Sequence, residues 1–387
     1  MSFRVTIYCP DKHISFYGDT PDRVGIGGGL TARIRLARAL ARRGHQVNMI
    51  AHTPKEQVLD RVRYLPLGTQ DQIDTDVLIS SSSGDKLDLS PIQKLDIRTK
   101  LHIAWVHGTP KLGGIEQLPF DYLYTPSNFI RSVVQNEWGL PSYTRLFVSY
   151  NGIEQTFFKD RFFIKKPGRN PHHLVYMGHP NKGLQGALGV LRVLREQDMR
   201  YELHVYGGDG LYGGEDQPMQ DLPGVIYHGT LGQKRLCREL HRYGFALNLQ
   251  SIREAYGISM MEAMAAGCIV VASPAGAYAE LIRHGYNGFL LSGDHLSQEI
   301  QTAAAKIIQD LIERPSLTAL IRQQSAQSPL DSDKMAAACE DHWTWALGDH
   351  QETLNIPNVC PDCGGGYIGL ADGYHCTDCG RYDQVLN

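Results

Sequence analysis

Apolar positions along this 387-residue chain follow two alternating rhythms. Short runs with strand character occur at 4–9, 47–51, 77–79, 101–106, 122–124 and 146–149. They resume at 174–177, 203–206, 225–227, 245–249 and 269–272. Between them, apolar residues recur at helical spacing, as in Leu30, Ile34, Ala37 and Ala41, with Gly44 placed to end that helix. Ser127 can cap a helix running to about Trp138, because its side-chain oxygen can accept from a free backbone amide of the first turn. Further helices are expected at 183–196, 233–242, 257–266 and 277–283, and three more between Gln298 and Leu347.

Strands alternating with helices of this length predict parallel sheets covered on both faces. The alternation breaks once. Residues 159–173 hold five cations and two prolines without clear periodicity and read as a linker between domains. The expected fold class is therefore α/β, with two doubly wound domains at 1–158 and 172–335, followed by a helix at 336–350. Ligands of such sheets sit at the carboxyl ends of the strands, which directs attention to the loops after them. Those loops hold Gly27, Gly28 and Gly29, then His107, then 178–182, then 251–257.

Composition narrows the choices. Charged residues make up 20% and hydrophobic residues 42%, values of a globular chain. The formal net charge of −3 leaves no global positive field to gather nucleic acid, or more than a peripheral membrane contact. The N-terminus runs into a strand and lacks the regions of a signal peptide. No apolar run approaches the ~18 residues of a membrane span, so a cytoplasmic protein is expected. Five arginines on the helix after Gly29 (Arg33, Arg35, Arg38, Arg42 and Arg43) read as a solvated face, with a membrane-facing surface as the alternative. Cys9, Cys237, Cys268 and Cys339 are scattered and read as small buried thiols.

The densest chemistry lies at 254–267. Glu254 follows a buried strand, and Gly257 opens a helix whose first amides lack internal acceptors and can take an anion. Glu262 lies further along that helix, in an apolar setting where an unpartnered carboxylate is rare. Carboxylates can hold sugar hydroxyls in pairs while the amides hold phosphate. This segment, with Glu254 and Glu262 separated by seven residues and the second opening Glu-Ala-Met-Ala-Ala-Gly, resembles the donor-site signature of the retaining GT-B glycosyltransferases. That group includes glycogen and sucrose synthases and bacterial mannosyltransferases. The likeness extends through Asn287-Gly288-Phe289-Leu290 and covers nearly the whole chain to about Gly348.

The resemblance implies two Rossmann-like domains, the first reading the acceptor and the second the donor, a nucleotide-diphosphate sugar. It implies that Glu254 holds the donor sugar's hydroxyls, that Glu262 holds the ribose, and that the amides of Tyr256, Gly257 and Ile258 face the diphosphate. Lys182 matches the family's phosphate lysine, where a cation neutralises the departing diphosphate. The family often has an arginine shortly before that lysine; here the loop is His179-Pro180-Asn181, which makes His179 the candidate for the second donor. His107 resembles the family histidine at the donor, and Gly28 and Gly29 its N-terminal glycine loop. No catalytic metal is expected, and the acceptor is not identified. A nucleotide-sugar 2-epimerase of the same fold and a non-catalytic scaffold are the alternatives. A dinucleotide fingerprint at the glycines fails, because Leu30 stands at its third position and the loop from strand one is long.

The C-terminal 356–387 is different in kind. Cys360, Cys363, Cys376 and Cys379 form two CxxC pairs twelve residues apart, each followed by glycine, which predicts a zinc ribbon with a structural Zn2+ on four thiolates. One Arg against four Asp gives this segment a charge of −3, which argues against nucleic acid and for a structural or protein-docking role.

Overall fold

The computed structural model describes residues 2–84, 86–158, 168–216 and 220–348, together with three short strands near the C-terminus. Two parallel sheets organise it. The first has eight strands: β1 (Arg4–Tyr8), β2 (Gln46–Ala51), β3 (Gln57–Leu59), β4 (Val62–Pro66), β5 (Gln72–Ser81), β6 (Asp96–Trp105), β7 (Tyr122–Thr125) and β8 (Leu146–Val148). Their spatial order is β3-β4-β2-β1-β5-β6-β7-β8, and only β3 runs antiparallel to its neighbour. The second sheet contains β9 (Asn170–Met177), β10 (Glu202–Tyr206), β11 (Val225–Gly229), β12 (Tyr243–Asn248), β13 (Ile269–Ala272) and β14 (Phe289–Leu290), in the order β11-β10-β9-β12-β13-β14.

Each sheet reverses its winding once among the described residues, between β1 and β5 in the first and between β9 and β12 in the second. At such a switch point the loops diverge to opposite faces and leave a crevice beyond the strand ends. The two crevices face each other, and the candidate residues come from the loops that line them.

The helices are α1 (Thr20–Arg23), α2 (Gly28–Arg42), α3 (Asn128–Glu137), α4 (Leu184–Arg195), α5 (Gln233–Leu240), α6 (Ile258–Ala265), α7 (Tyr278–Leu281), α8 (Gln298–Ile312), α9 (Pro315–Gln327) and α10 (Ser332–Leu347). Ser127 caps α3 through its hydroxyl, which accepts from the Ile130 amide at 3.1 Å. One buried apolar cluster runs from Val5, Ile34 and Leu40 of the first domain to Met260, Met264 and Val270 of the second, so the domains share a core at their junction. Helix α10 returns to the first domain. Trp343 is fully buried there and donates its indole N–H to the Tyr124 hydroxyl at 3.1 Å.

Several expectations change. Strand β9 begins at Asn170, so 170–173 belong to the second sheet rather than to a linker. Residues 159–167 of the expected linker lie outside the described residues. Helix α2 starts two residues before Leu30, which puts Gly28 and Gly29 in its first turn. Helix α7 stops at Leu281 because Ile282 is extended. The hairpin of β3 and β4 was not anticipated, although Val62 and Tyr64 are buried and alternate with Arg63. The arginines of α2 divide: Arg42 and Arg43 are exposed, as a solvated face requires, and the others are not. Arg33 and Arg35 are buried, and all five pair with carboxylates, among them Asp11, Glu262, Asp22, Asp333 and Glu340. Charges at this depth are tolerated only when paired.

The four scattered cysteines are buried free thiols. Near the C-terminus, β15 (Tyr367–Leu370), β16 (Gly373–Cys376) and β17 (Tyr382–Gln384) form an antiparallel three-stranded sheet. Cys376 ends the central strand, while Cys360, Cys363 and Cys379 lie outside the described residues. No helix among the described residues is long and apolar enough to cross a membrane.

Candidate active site

A cleft of about 520 Å³ lies between the two sheets. His107, His179, Lys182, Glu254, Tyr256, Gly257, Ile258, Glu262, Gly28 and Gly29 all line it. The residues singled out in the sequence are thus brought together from five separate loops and helices of two domains.

Three helices open at the cleft with no side-chain cap, each behind a glycine: α2 behind Gly27, α5 behind Gly232 and α6 behind Gly257. Helix α6 begins in the left-handed region at Gly257, with φ of 91°. A β-carbon there would also strike the ring of Tyr278, so the turn requires glycine on two counts. At Gly29 the constraint is close approach, since a β-carbon would collide with the side chain of Ser83. Uncapped first-turn amides, together with the helix dipole, make a positive lining that suits an anion.

Lys182 reaches into this lining and donates to Glu254 Oε1 at 2.7 Å. Burial opposes the charged ammonium, but the Glu254 carboxylate and the nearby Tyr212 outweigh it, so the Lys182 pKa rises and the side chain stays charged. The opposed pair is positioned by the loops after β9 and β12, on either side of the second sheet's switch point.

His179 is held at both ring nitrogens. Its Nδ1 accepts from the Asn181 amide at 3.2 Å, and its Nε2 donates to Asp209 Oδ1 at 2.8 Å. His107 stacks obliquely on Trp105, with ring centroids 4.3 Å apart. Its Nε2 is shielded from solvent and makes no hydrogen bond. Burial, and secondarily the Arg33 guanidinium, hold the His107 pKa well below the ordinary value, so the ring is neutral and can donate or accept without carrying charge.

Glu262 is buried and paired with Arg35, which crosses from the first domain and also donates to Gln233 Oε1 at 2.8 Å. Behind the glycine loop, Asp11 pairs with Arg33 at 2.7 Å and accepts from Ser82 Oγ at 2.6 Å and from the Ser83 amide. On the far side of the junction, the Glu280 carboxylate accepts from the Asn128 and Phe129 amides that open α3, each at 3.1 Å. Sequence reading missed Arg33, Arg35, Asp11, Asp209 and Glu280. Arg33 and Arg35 did leave a trace: they stand among Leu30, Ile34, Leu36 and Ala37, positions too apolar for a solvated face.

Residues 171–310 match the family model described as glycosyl transferases group 1. A D-inositol 3-phosphate glycosyltransferase of Streptomyces griseus is 33% identical over 129 residues, which is 33% of this chain and 26% of that protein. The corresponding protein of Streptomyces scabiei is 30% identical over 129 residues, 33% of this chain and 28% of its own length. The matched stretch thus spans about a quarter of these relatives. The fold is similar to that of sucrose-phosphate synthase from Thermosynechococcus elongatus, with a TM-score of 0.64 at 13% identity over 89% of this chain and 99% of that one. It is also similar to AviGT4, a glycosyltransferase of avilamycin A biosynthesis (0.61, 16%, 89% and 98%). A third likeness is to Anabaena Alr3699/HepE in complex with UDP and glucose (0.59, 16%, 88% and 100%).

The fold is therefore GT-B-like, with two parallel-sheet Rossmann-like domains, and residues 171–310, about a third of the chain, match the group 1 glycosyltransferase model.

Proposed function

We propose that this chain transfers a sugar from a nucleoside-diphosphate sugar to an acceptor, with retention of anomeric configuration. The observation that carries this reading is the convergence of Lys182, Glu254 and the uncapped start of α6 in one interdomain cleft. In the proposed complex the diphosphate lies against the amides of Gly257 and Ile258, with the Lys182 ammonium beside it. Glu254 takes the sugar hydroxyls, and Glu262 takes the ribose. The bond from the anomeric carbon to the diphosphate oxygen breaks, the acceptor oxygen bonds to that carbon on the same face, and the acceptor proton passes to the leaving diphosphate. Negative charge develops on the diphosphate in this step, and preorganised donors act most strongly where charge develops. His107, neutral and unpaired at Nε2, serves as a hydrogen-bonding group toward the sugar or phosphate. His179 is committed at both ring nitrogens, to the Asn181 amide and to Asp209, so it shapes the loop that carries Lys182 rather than donating to the diphosphate.

At the C-terminus, the same reading assigns a structural Zn2+ to the thiolates of Cys360, Cys363, Cys376 and Cys379. Support comes from their spacing and from the antiparallel strands between the two pairs, with Cys376 at the end of the central one. A segment this short has little core and gains its stability from such a staple.

The test is a panel of UDP-, GDP- and ADP-sugars scored for thermal stabilisation, followed by product analysis with an acceptor mixture. One base is expected to raise the unfolding temperature in a concentration-dependent way and to yield a glycosylated product. No stabilisation by any nucleotide sugar would refute the assignment.

A further inference from the structure

A second cluster of ligating side chains lies on the second sheet, and none of its members lines the cleft. Glu202 and His204 stand two apart on β10 and therefore project to the same face. His173 on β9 is registered directly against Glu202 across the parallel ladder. On the opposite face, Leu174, Leu203 and Val205 are locked in the apolar core, so the backbone carrying the three side chains is rigid.

We infer that His173, Glu202 and His204 form a binding site for a divalent transition-metal ion of the zinc class. The Glu202 Oε2 lies 3.2 Å from His173 Nε2 and 3.5 Å from His204 Nε2, and the three ligand atoms all fall within 4.8 Å of one another. Ligands about 2.1 Å from a tetrahedral metal sit about 3.4 Å apart, so the observed spacing is that of a coordination shell. His204 Nδ1 and His228 Nε2 are 2.9 Å apart. With the proton on Nδ1 donated to His228, the lone pair of His204 Nε2 faces Glu202, and that nitrogen is shielded and makes no hydrogen bond. His228 is itself clamped, stacked on Tyr206 with ring centroids 4.4 Å apart. A metal-binding histidine held through its other nitrogen is the usual way such a ring is oriented. Arg242, the nearby cation, is paired with Glu239 at 3.0 Å, which limits its repulsion of a metal. The His173 and Glu202 side chains retain 27% and 38% of their exposure, which leaves the fourth position open to water. Two imidazoles and one carboxylate select zinc, cobalt, nickel or copper over magnesium and calcium.

Co2+ titration of the tag-free full-length chain tests this, because cobalt held by nitrogen and oxygen shows visible d–d bands without a thiolate charge-transfer band. The wild type is expected to bind one equivalent of that kind, distinguishable from any cobalt held by the C-terminal cysteines. His204→Gln should weaken that equivalent at least tenfold while leaving any thiolate band unchanged. The more exposed substitutions Glu202→Gln and His173→Gln should do the same, and keep the inference testable if His204→Gln fails to fold. Only thiolate-bound cobalt in the wild type, or unchanged thiolate-free binding in folded variants, overturns the site.

Discussion

Arg35 of the first domain and Glu262 of the second form an ion pair across the junction, with 3% and 4% of their side-chain surface exposed. Each charge depends on the other, because neither has water to solvate it. Removing one partner strands the other. Arg35→Ala is therefore expected to destabilise the chain by about 3–5 kcal/mol, whereas Arg35→Met combined with Glu262→Met should fall much closer to the wild type. Urea unfolding of the single and double variants measures the difference.

The same carboxylate is proposed to hold the ribose, and that role can be separated from its role at the junction. Glu262→Gln should weaken binding of the matching nucleoside diphosphate about tenfold, the scale of one charge-assisted hydrogen bond. Affinity for the 2′,3′-dideoxy nucleotide, which lacks the hydroxyls, should stay near the wild-type value. Calorimetric titration with both nucleotides reads this directly. An equal loss for both would assign Glu262 to the junction alone.

Gly257 is the residue on which the start of α6 turns. Gly257→Ala places a side chain in the left-handed region and against Tyr278, with an expected stability loss of about 1–3 kcal/mol. If the first amides of α6 hold the diphosphate, nucleotide affinity falls further than stability does. Thermal unfolding with and without saturating nucleotide measures both in one experiment.

Stability should also depend on pH below neutrality. Burial holds His342 at a pKa of about 4, lowers His102, and holds His107 well down, with Arg33 adding to the effect at His107. The unfolded chain takes up these protons near the ordinary histidine value of 6.5 while the folded chain does not, so folding stability falls as pH drops from about 6.5 toward 4. Above that window the histidines no longer contribute a slope. His342 stacks on Phe147 with ring centroids 4.1 Å apart, so His342→Phe keeps an aromatic ring there while removing the titration. The urea midpoint of this variant should vary less between pH 4 and 6.5 than that of the wild type.

What the chain discloses and what it hides have a physical division. Period-two runs ending in glycine, histidine or lysine mark strand ends, and strand ends are where doubly wound sheets bind ligands; this made Lys182, Glu254 and His107 legible. Gly257 was legible because a helix opened behind it with no cap. The partners of these residues were not, since Arg35 meets Glu262 across 227 positions of sequence and only domain docking sets that contact. The burial of Arg33 is hidden for the same reason: Asp11 neutralises it and the Ser83 hydroxyl accepts a hydrogen bond from it, both from distant loops. The histidine and glutamate cluster of the second sheet was obscured because His173 lay in a stretch read as linker, which concealed its register with Glu202.

Lys182 and Glu254, 2.7 Å apart, stand at the centre of the proposed chemistry. The most direct measurement is the rate of sugar transfer from the nucleotide sugar that stabilises the wild type, compared among wild type, Lys182→Ala and Glu254→Gln. Each variant is expected to lose at least about 100-fold in kcat/KM, the scale of removing one charge-stabilising group from a transition state. Folded variants that transfer sugar at the wild-type rate would contradict the assignment of this cleft as the donor site.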